Sequence, residues 1–296
     1  MVPSYRRQTT LHRGCSLSWF AEGNGPPVVM IHGIGVGAAG WRPQVEGLGA
    51  HFRCLCLDNR GFGESQPLGG ALTVELMADD VLALMDAQGW QSAHVMGHSL
   101  GGLVALYLAQ KARARVRSLA LMCTFPSGAI PTRPTPWIIL AGIRTRLGTR
   151  RMRRHAFLEL VLPPDALARA DRDALAERLA ELFSHDLADQ PPVAMQQMGA
   201  MRRADATPFL QGFASIPTLV VSASHDRIAP PVGGRELAIG IPGARYVEIP
   251  DGSHGVTLQH PERINALLLE HLNAAEANWG ARNPGPVAGK PREGTP

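Results

Sequence analysis

The stretch Gly97-His98-Ser99-Leu100-Gly101-Gly102 restricts this chain more than any other. It fits Gly-x-Ser-x-Gly, and its setting gives the match weight. Apolar Ala93-His94-Val95-Met96 before it reads as a strand, and Leu103 to Ala109 after it reads as a helix. A strand that turns straight into a helix brings two backbones almost into contact, so the turn needs small neighbours, and Gly97 and Gly101 supply them. The central residue of such a turn raises its side chain above the sheet, where a base and a substrate can reach it. Ser99 is therefore the candidate nucleophile.

Strand-like and helix-like segments alternate on either side of this turn. Val28 to Ile31, Phe52 to Leu57, Ser118 to Cys123, Pro217 to Val221 and Arg245 to Ile249 read as strands, and several are continuous apolar runs suited to burial on both faces. Gly14 to Phe20 reads as a further strand. Between them, Trp41 to Leu48, Thr73 to Gln88, Val232 to Ile239 and Pro261 to Leu272 read as helices. Thr73 is a natural cap for the second of these, and Gly89 a natural stop. The alternation predicts an α/β fold, a mostly parallel central sheet with helices on both faces. The rhythm breaks between residues 126 and 205, where the pattern is helical and Arg-rich, with Leu158 to Leu162 and Asp173 to Phe183 clearest. Strands on both sides are needed to complete one sheet, so this segment reads as a helical cap inserted into a core of residues 1–125 and 206–274. The end of the chain, 275–296, has the Gly, Pro and Arg content of a disordered tail, most plainly from Asn278 onward.

Composition narrows the function. No apolar run approaches the ~20 residues that cross a bilayer, and no apolar segment follows Arg6 and Arg7 as a secretory signal requires. Cys15, Cys54, Cys56 and Cys123 form no Cys-x-x-Cys pair, which suits buried thiols in a reducing compartment, and the expected location is cytoplasmic. No His/Cys cluster has zinc spacing, so no metal is expected. The net charge of +4 is nearly all arginine, and seven arginines (133, 144, 146, 150, 151, 153 and 154) fall in a stretch without Asp or Glu. No nucleic-acid motif or stacking aromatic accompanies them, so the run reads as a solvated helix face, and no nucleic-acid partner is expected.

A serine hydroxyl is a weak nucleophile and needs a base within hydrogen-bond reach, itself oriented by an acid. Behind a turn of this kind the chain order is serine, acid, histidine. Asp226 follows the strand ending at Val221, in the loop Ser222 to Pro231. His254 follows the strand ending at Ile249, in Asp251-Gly252-Ser253-His254-Gly255. Asp251 is the rival acid but shares the histidine's own loop. Of the other histidines, His98 and His225 adjoin candidate residues and should point away from the shared centre. His51, His155, His185, His260 and His271 read as solvent-facing. The developing oxyanion needs backbone donors. Leu100 N–H is one, right after the nucleophile. The other should come from the glycine-rich loop His32 to Gly37, with Ile34 N–H preferred and Gly35 the close alternative. Gly33-x-Gly35-x-Gly37 lacks the spacing and the lysine of nucleotide loops, so no cofactor is expected.

Taken together these motifs resemble the α/β-hydrolase superfamily, over roughly residues 9 to 274. The His32-Gly33 loop, the stretch Asp58-Asn59-Arg60-Gly61-Phe62-Gly63-Glu64-Ser65, the Ser99 turn, the acid loop Asp226 to Pro231 and Gly252-Ser253-His254 occur in the family's order. The resemblance implies the α/β-hydrolase fold with a helical cap insertion, and a serine enzyme. Relatives that dehalogenate haloalkanes or open epoxides carry aspartate at the nucleophile position, so serine argues against both. The loop His32 to Trp41 is similar to that of meta-cleavage product hydrolases. Those enzymes usually carry asparagine before the serine and tryptophan after the histidine, where this chain has His98 and Gly255. The acid loop and the region from His254 to Leu269 are similar to enol-lactonases and cofactor-free haloperoxidases.

The expected activity is hydrolysis of a small-molecule carboxylic ester through an acyl-enzyme. Carbon–carbon or enol-lactone hydrolysis with the same triad is the alternative, and a non-catalytic ligand receptor the third. Trp137, Ile138, Leu140, Phe157 and Leu160 of the cap are the expected acyl-pocket residues. Oligomeric state has no signature in the sequence.

Overall fold

The computed structural model describes residues 5–131, 133 and 135–282. Eight strands form one sheet: β1 (Gln8–His12), β2 (Cys15–Glu22), β3 (Pro27–Ile31), β4 (Arg53–Leu57), β5 (Ala93–His98), β6 (Val116–Met122), β7 (Thr218–Ala223) and β8 (Arg245–Ile249). Their order across the sheet is β1-β2-β4-β3-β5-β6-β7-β8, antiparallel only at the β1–β2 and β2–β4 pairs. Helices α1 (Arg42–Leu48), α2 (Val74–Ala87) and α3 (Leu100–Lys111) belong to the first half. Five more lie between β6 and β7: α4 (Pro136–Arg144), α5 (Arg150–Val161), α6 (Pro164–Ala168), α7 (Arg172–Phe183) and α8 (Ala194–Arg203). The chain closes with α9 (Pro231–Gly240), α10 (Val256–Gln259) and α11 (Pro261–Arg282). Among the described residues no helix is long and apolar enough to cross a membrane.

Local chemistry explains these elements. Val28 to Ile31 are fully buried and every residue of β5 is buried, as central strands covered on both faces must be. α3 and α11 pack on β6 from its two sides, α2 packs on α3, and α1 on α11. Thr73 caps α2 by accepting the Leu76 N–H, and Gly89 follows that helix at φ +67°. β1 had no clear signal in the sequence, because it is an edge strand with three exposed residues out of five. It forms through a two-residue turn, Arg13-Gly14, whose φ values of 46° and 75° suit a tight hairpin.

The C-terminal expectation needs correction. α11 runs eight residues into the stretch 275–296 read as a tail. Ala275 is buried, and Glu276 accepts hydrogen bonds from His94 Nε2 (3.0 Å) and Arg117 Nη1 (2.8 Å). Trp279 lies under the Arg117 guanidinium, 5.6 Å from the ring centre. The anchors are strand residues far away in sequence, so composition alone missed them. The rest of the expected tail, 283–296, lies outside the described residues.

The arginine run also resolves. Arg150 binds Asp186 and Asp189, Arg151 binds Asp173, Arg154 binds Asp186 and Arg144 binds Glu159. These carboxylates come from the same helical segment, so the positive charge is largely met within it. Exposed pairs of this kind contribute little to stability, because solvent screens them. The segment has its own small apolar core around Leu158, Leu179, Phe183 and Leu187, which Val36 of the loop after β3 enters.

Glu276→Ala is expected to destabilise the fold by about 1–3 kcal/mol, since fully buried His94 loses a partner. An unchanged urea midpoint at constant m value would contradict this. Burial lowers the proton affinity of His94 and of His271, the latter to a pKa of about 4. Both are held neutral when folded, whereas the unfolded chain takes up these protons below about pH 6.5. Stability should therefore be fully present above that pH and decline as pH falls from 6.5 towards 4. A urea midpoint flat over that window would contradict the assignment.

Candidate active site

The order of strands reverses between β3 and β5, because the chain moves outward from β3 to β4 and then returns to β5 on the other side. Ligands of open α/β sheets bind beyond the carboxyl ends of strands at such a point. The loop after β3 and the turn after β5 meet there. Ser99 joins β5 to α3 at φ 55°, ψ −122°, a costly conformation for a residue with a side chain. Its neighbours enforce it. A Cβ on Gly97 would stand 2.3 Å from the Gly101 carbonyl oxygen, and one on Gly101 2.0 Å from that of Ile31. The Ser99 N–H donates to the Met122 carbonyl (3.0 Å), and Thr124 Oγ1 donates to the Ser99 carbonyl (2.7 Å).

Asp226 and His254 follow β7 and β8. His254 Nδ1 lies 2.8 Å from Asp226 Oδ2, and both residues are buried. The other carboxylate oxygen accepts the N–H groups of Ile228 (2.9 Å) and Ala229 (2.8 Å), which fixes the acid's rotamer. Asp251 is exposed and faces His260 and Arg263. The histidine loop is tied to α5, where the Gly255 N–H donates to the Val161 carbonyl (2.7 Å). Ser99 and His254 line one cavity of about 210 Å³, together with Gly33 and Ile34.

Three histidines correct their expected places. His98 does not point away: it lines the cavity, its ring centre 4.8 Å from that of His254. Its Nε2 donates to the His254 carbonyl oxygen (2.8 Å), so it supports the histidine loop from below. Burial, and then the proximity of His254, lower its pKa to about 3, which keeps it neutral. His185 is not solvent-facing either. It lines the cavity, with Nε2 at 2.9 Å from the Gly35 carbonyl oxygen. His271 is buried as well, while His225 is exposed as expected for a side chain turned outward.

The loop after β3 is held from both sides. A Cβ on Gly33 would come within 3.0 Å of the Ser99 Cβ, so the loop passes directly beside the serine. The Gly33 N–H donates to His32 Nδ1 (3.0 Å), and the Gly35 N–H to Gln197 Oε1 (3.0 Å). Ile34 lies between them, its N–H without an acceptor among the described residues, whereas the alternative, Gly35, is already engaged. The Leu100 N–H opens α3, where no preceding turn offers an acceptor. Gly35 is thus gripped at both polar atoms by side chains from the helical segment, His185 at its carbonyl and Gln197 at its N–H. Neither contact has a local sequence signal.

The expected pocket residues divide. Phe157 and Leu160 line the cavity beside Ser99. Trp137, Ile138 and Leu140 do not. No residue of α4 is buried, and that helix packs against the outer side of α5. Trp137 and Leu140 border a separate cavity of about 50 Å³ there, and Trp137 is covered by the Arg227 guanidinium at 4.2 Å. Phe183, Met198, Met201, Ile228 and Leu258 line the main cavity instead. Helical periodicity marks such residues as inward-facing but does not separate a cavity wall from a core contact.

One trio of metal-type donors occurs among the described residues, His98, Cys123 and His254. Each histidine already commits a ring nitrogen to a hydrogen bond. Burial, reinforced by the Asp226 charge, pushes the Cys123 thiol well above its ordinary range and disfavours the thiolate a metal needs.

With this geometry, the comparisons with known proteins are consistent. The family model for the alpha/beta hydrolase fold matches residues 26–261. A pimeloyl-[acyl-carrier protein] methyl ester esterase from Chromobacterium violaceum is 32% identical over 256 residues, covering 84% of this chain and 95% of its own. The crystal structure of an enol-lactonase from Burkholderia xenovorans superposes with a TM-score of 0.74 at 30% identity, over 88% of this chain and 97% of that one. A meta-cleavage product hydrolase from Pseudomonas fluorescens shares the fold at a TM-score of 0.72, with 22% identity over 90% of this chain and 98% of its own. The chain belongs to the alpha/beta hydrolase fold family and is an enzyme of that family.

Proposed function

We propose that this enzyme hydrolyses carboxylic esters of small molecules through an acyl-enzyme on Ser99. The observation that carries the reading is the 2.8 Å contact of His254 Nδ1 with buried Asp226, on a histidine that opens onto the same cavity as Ser99. Asp226 holds the imidazole with Nδ1 protonated, which leaves Nε2 free to act as base. Ser99 Oγ attacks the acyl carbon as its proton passes to His254 Nε2. The carbonyl oxygen becomes an oxyanion and accepts hydrogen bonds from Ile34 N–H and Leu100 N–H. Collapse breaks the ester C–O bond, and the alcohol leaves with the proton from His254. Water then attacks the acyl-enzyme, giving its proton to His254, and the acid departs as Ser99 recovers its hydrogen.

A lactone is an ester closed on itself, so the same groups serve it, and the likeness to the enol-lactonase structure favours that second reading. Carbon–carbon cleavage has less support, since His98 and Gly255 stand where the meta-cleavage hydrolases usually carry asparagine and tryptophan. A pure receptor would retain the fold without turnover.

Ser99→Ala is expected to lower kcat on p-nitrophenyl hexanoate by about 10⁴-fold or more with thermal stability kept, in line with loss of an activated nucleophile. Activity within tenfold of the parent enzyme would refute the assignment. Gln197→Met removes the acceptor of the Gly35 N–H and loosens the peptide next to the Ile34 donor. The expected outcome is a fall in kcat of about 10-fold or more with KM within about threefold, because the oxyanion exists only after attack. A change confined to KM would show that Gln197 serves substrate binding alone.

A further inference from the structure

The wall of the main cavity is chemically one-sided. Phe157, Leu160, Phe183, Met198, Met201 and Ile228 are among its apolar residues, and among the described residues that line it none is Lys, Arg, Asp or Glu. Of the polar side chains present, Ser99 and His254 belong to the reaction centre, and His32 accepts the Gly33 N–H at Nδ1 with its Nε2 buried. His98 is bound to the His254 carbonyl, and His185 Nε2 and Nδ1 face the carbonyl oxygens of Gly35 and Asp186. Gln190 is exposed at the margin. Arg227, next in sequence to Ile228, lies on the Trp137 ring, while Arg150 and Arg154 are paired with Asp186. A carboxylate carried into this space would lose its water and find no lysine or arginine among the lining residues to pair with, which is strongly unfavourable.

We infer that the cavity takes the acyl part of the substrate and that this part must be neutral and apolar. The inference rests on the ester-hydrolase reading and deepens it. Plain aliphatic or aromatic acyl esters and lactones fit. Half-esters of dicarboxylic acids, which carry an ionised carboxylate on the acyl side, do not. The specificity arises from the helical segment between β6 and β7, which contributes Phe157, Leu160, Phe183, Met198 and Met201.

The test uses two p-nitrophenyl alkylphosphonates of equal chain length that differ only at the chain end, methyl in one and carboxylate in the other. Second-order rates of inactivation of the full-length enzyme are measured, with the site of attachment mapped by mass spectrometry. The neutral probe is expected to label Ser99 at least 30-fold faster. Met198→Arg, at a position 39% exposed and so able to admit a longer side chain, is expected to narrow that ratio at least fivefold. Equal labelling by the two probes, or faster labelling by the charged one, overturns the inference while leaving Ser99 as nucleophile. A ratio unmoved in a folded Met198→Arg enzyme likewise overturns the role given to the cavity wall. Failure of both probes to label Ser99 overturns the ester-hydrolase reading itself, and the inference with it.

Discussion

Everything at the centre of this molecule follows from two backbones packed too closely for side chains. Where β5 passes into α3, Gly97 faces the Gly101 carbonyl and Gly101 faces the Ile31 carbonyl at separations that admit no Cβ. That contact forces Ser99 to φ 55° and keeps it there. Strain of this kind survives only where the surroundings over-determine it. Here the buried core on both faces of the sheet does so, together with the hydrogen bonds to Met122 and from Thr124. The hydroxyl is lifted off the end of the sheet without a specialised loop, and the rest of the proposed machinery assembles around it from neighbouring strand ends.

Two kinds of support surround that centre. The sheet supplies loops whose length and direction follow from parallel strands, and these carry Asp226 and His254. The helical segment between β6 and β7 supplies contacts from above. Gln197 and His185 grip Gly35, and Val161 accepts from Gly255. The segment therefore does more than enclose a cavity. It touches the backbone of both the loop beside Ser99 and the loop of His254, so its packing and the geometry of the proposed oxyanion site are coupled. Val36 entering the segment's own apolar core is part of the same coupling.

Legibility from sequence tracked locality. The Gly-x-Ser-x-Gly turn, the cap at Thr73 and the strand-end positions of Asp226 and His254 are local patterns, each decided by a few adjacent residues and the alternation of strands and helices. What stayed hidden depended on partners far along the chain. His185 and Gln197 reach Gly35 across 150 and 162 residues, and Glu276 meets His94 across 182. Trp137, Ile138 and Leu140 misled for another reason. α4 is apolar enough to suggest burial, yet it packs on the outside of α5 and leaves Ile139, Leu140 and Ile143 about half exposed. Hydrophobicity indicates that a helix has somewhere to pack, not which side of its neighbour it takes.

A crystal structure of the enzyme after reaction with a neutral alkylphosphonate would show the reaction centre directly. The expected structure has a bond from Ser99 Oγ to phosphorus, a phosphoryl oxygen within hydrogen-bond distance of both Ile34 N and Leu100 N, and His254 Nε2 facing the leaving-group side. A phosphoryl oxygen turned away from those two N–H groups, or an imidazole of His254 out of reach of the adduct, would contradict it.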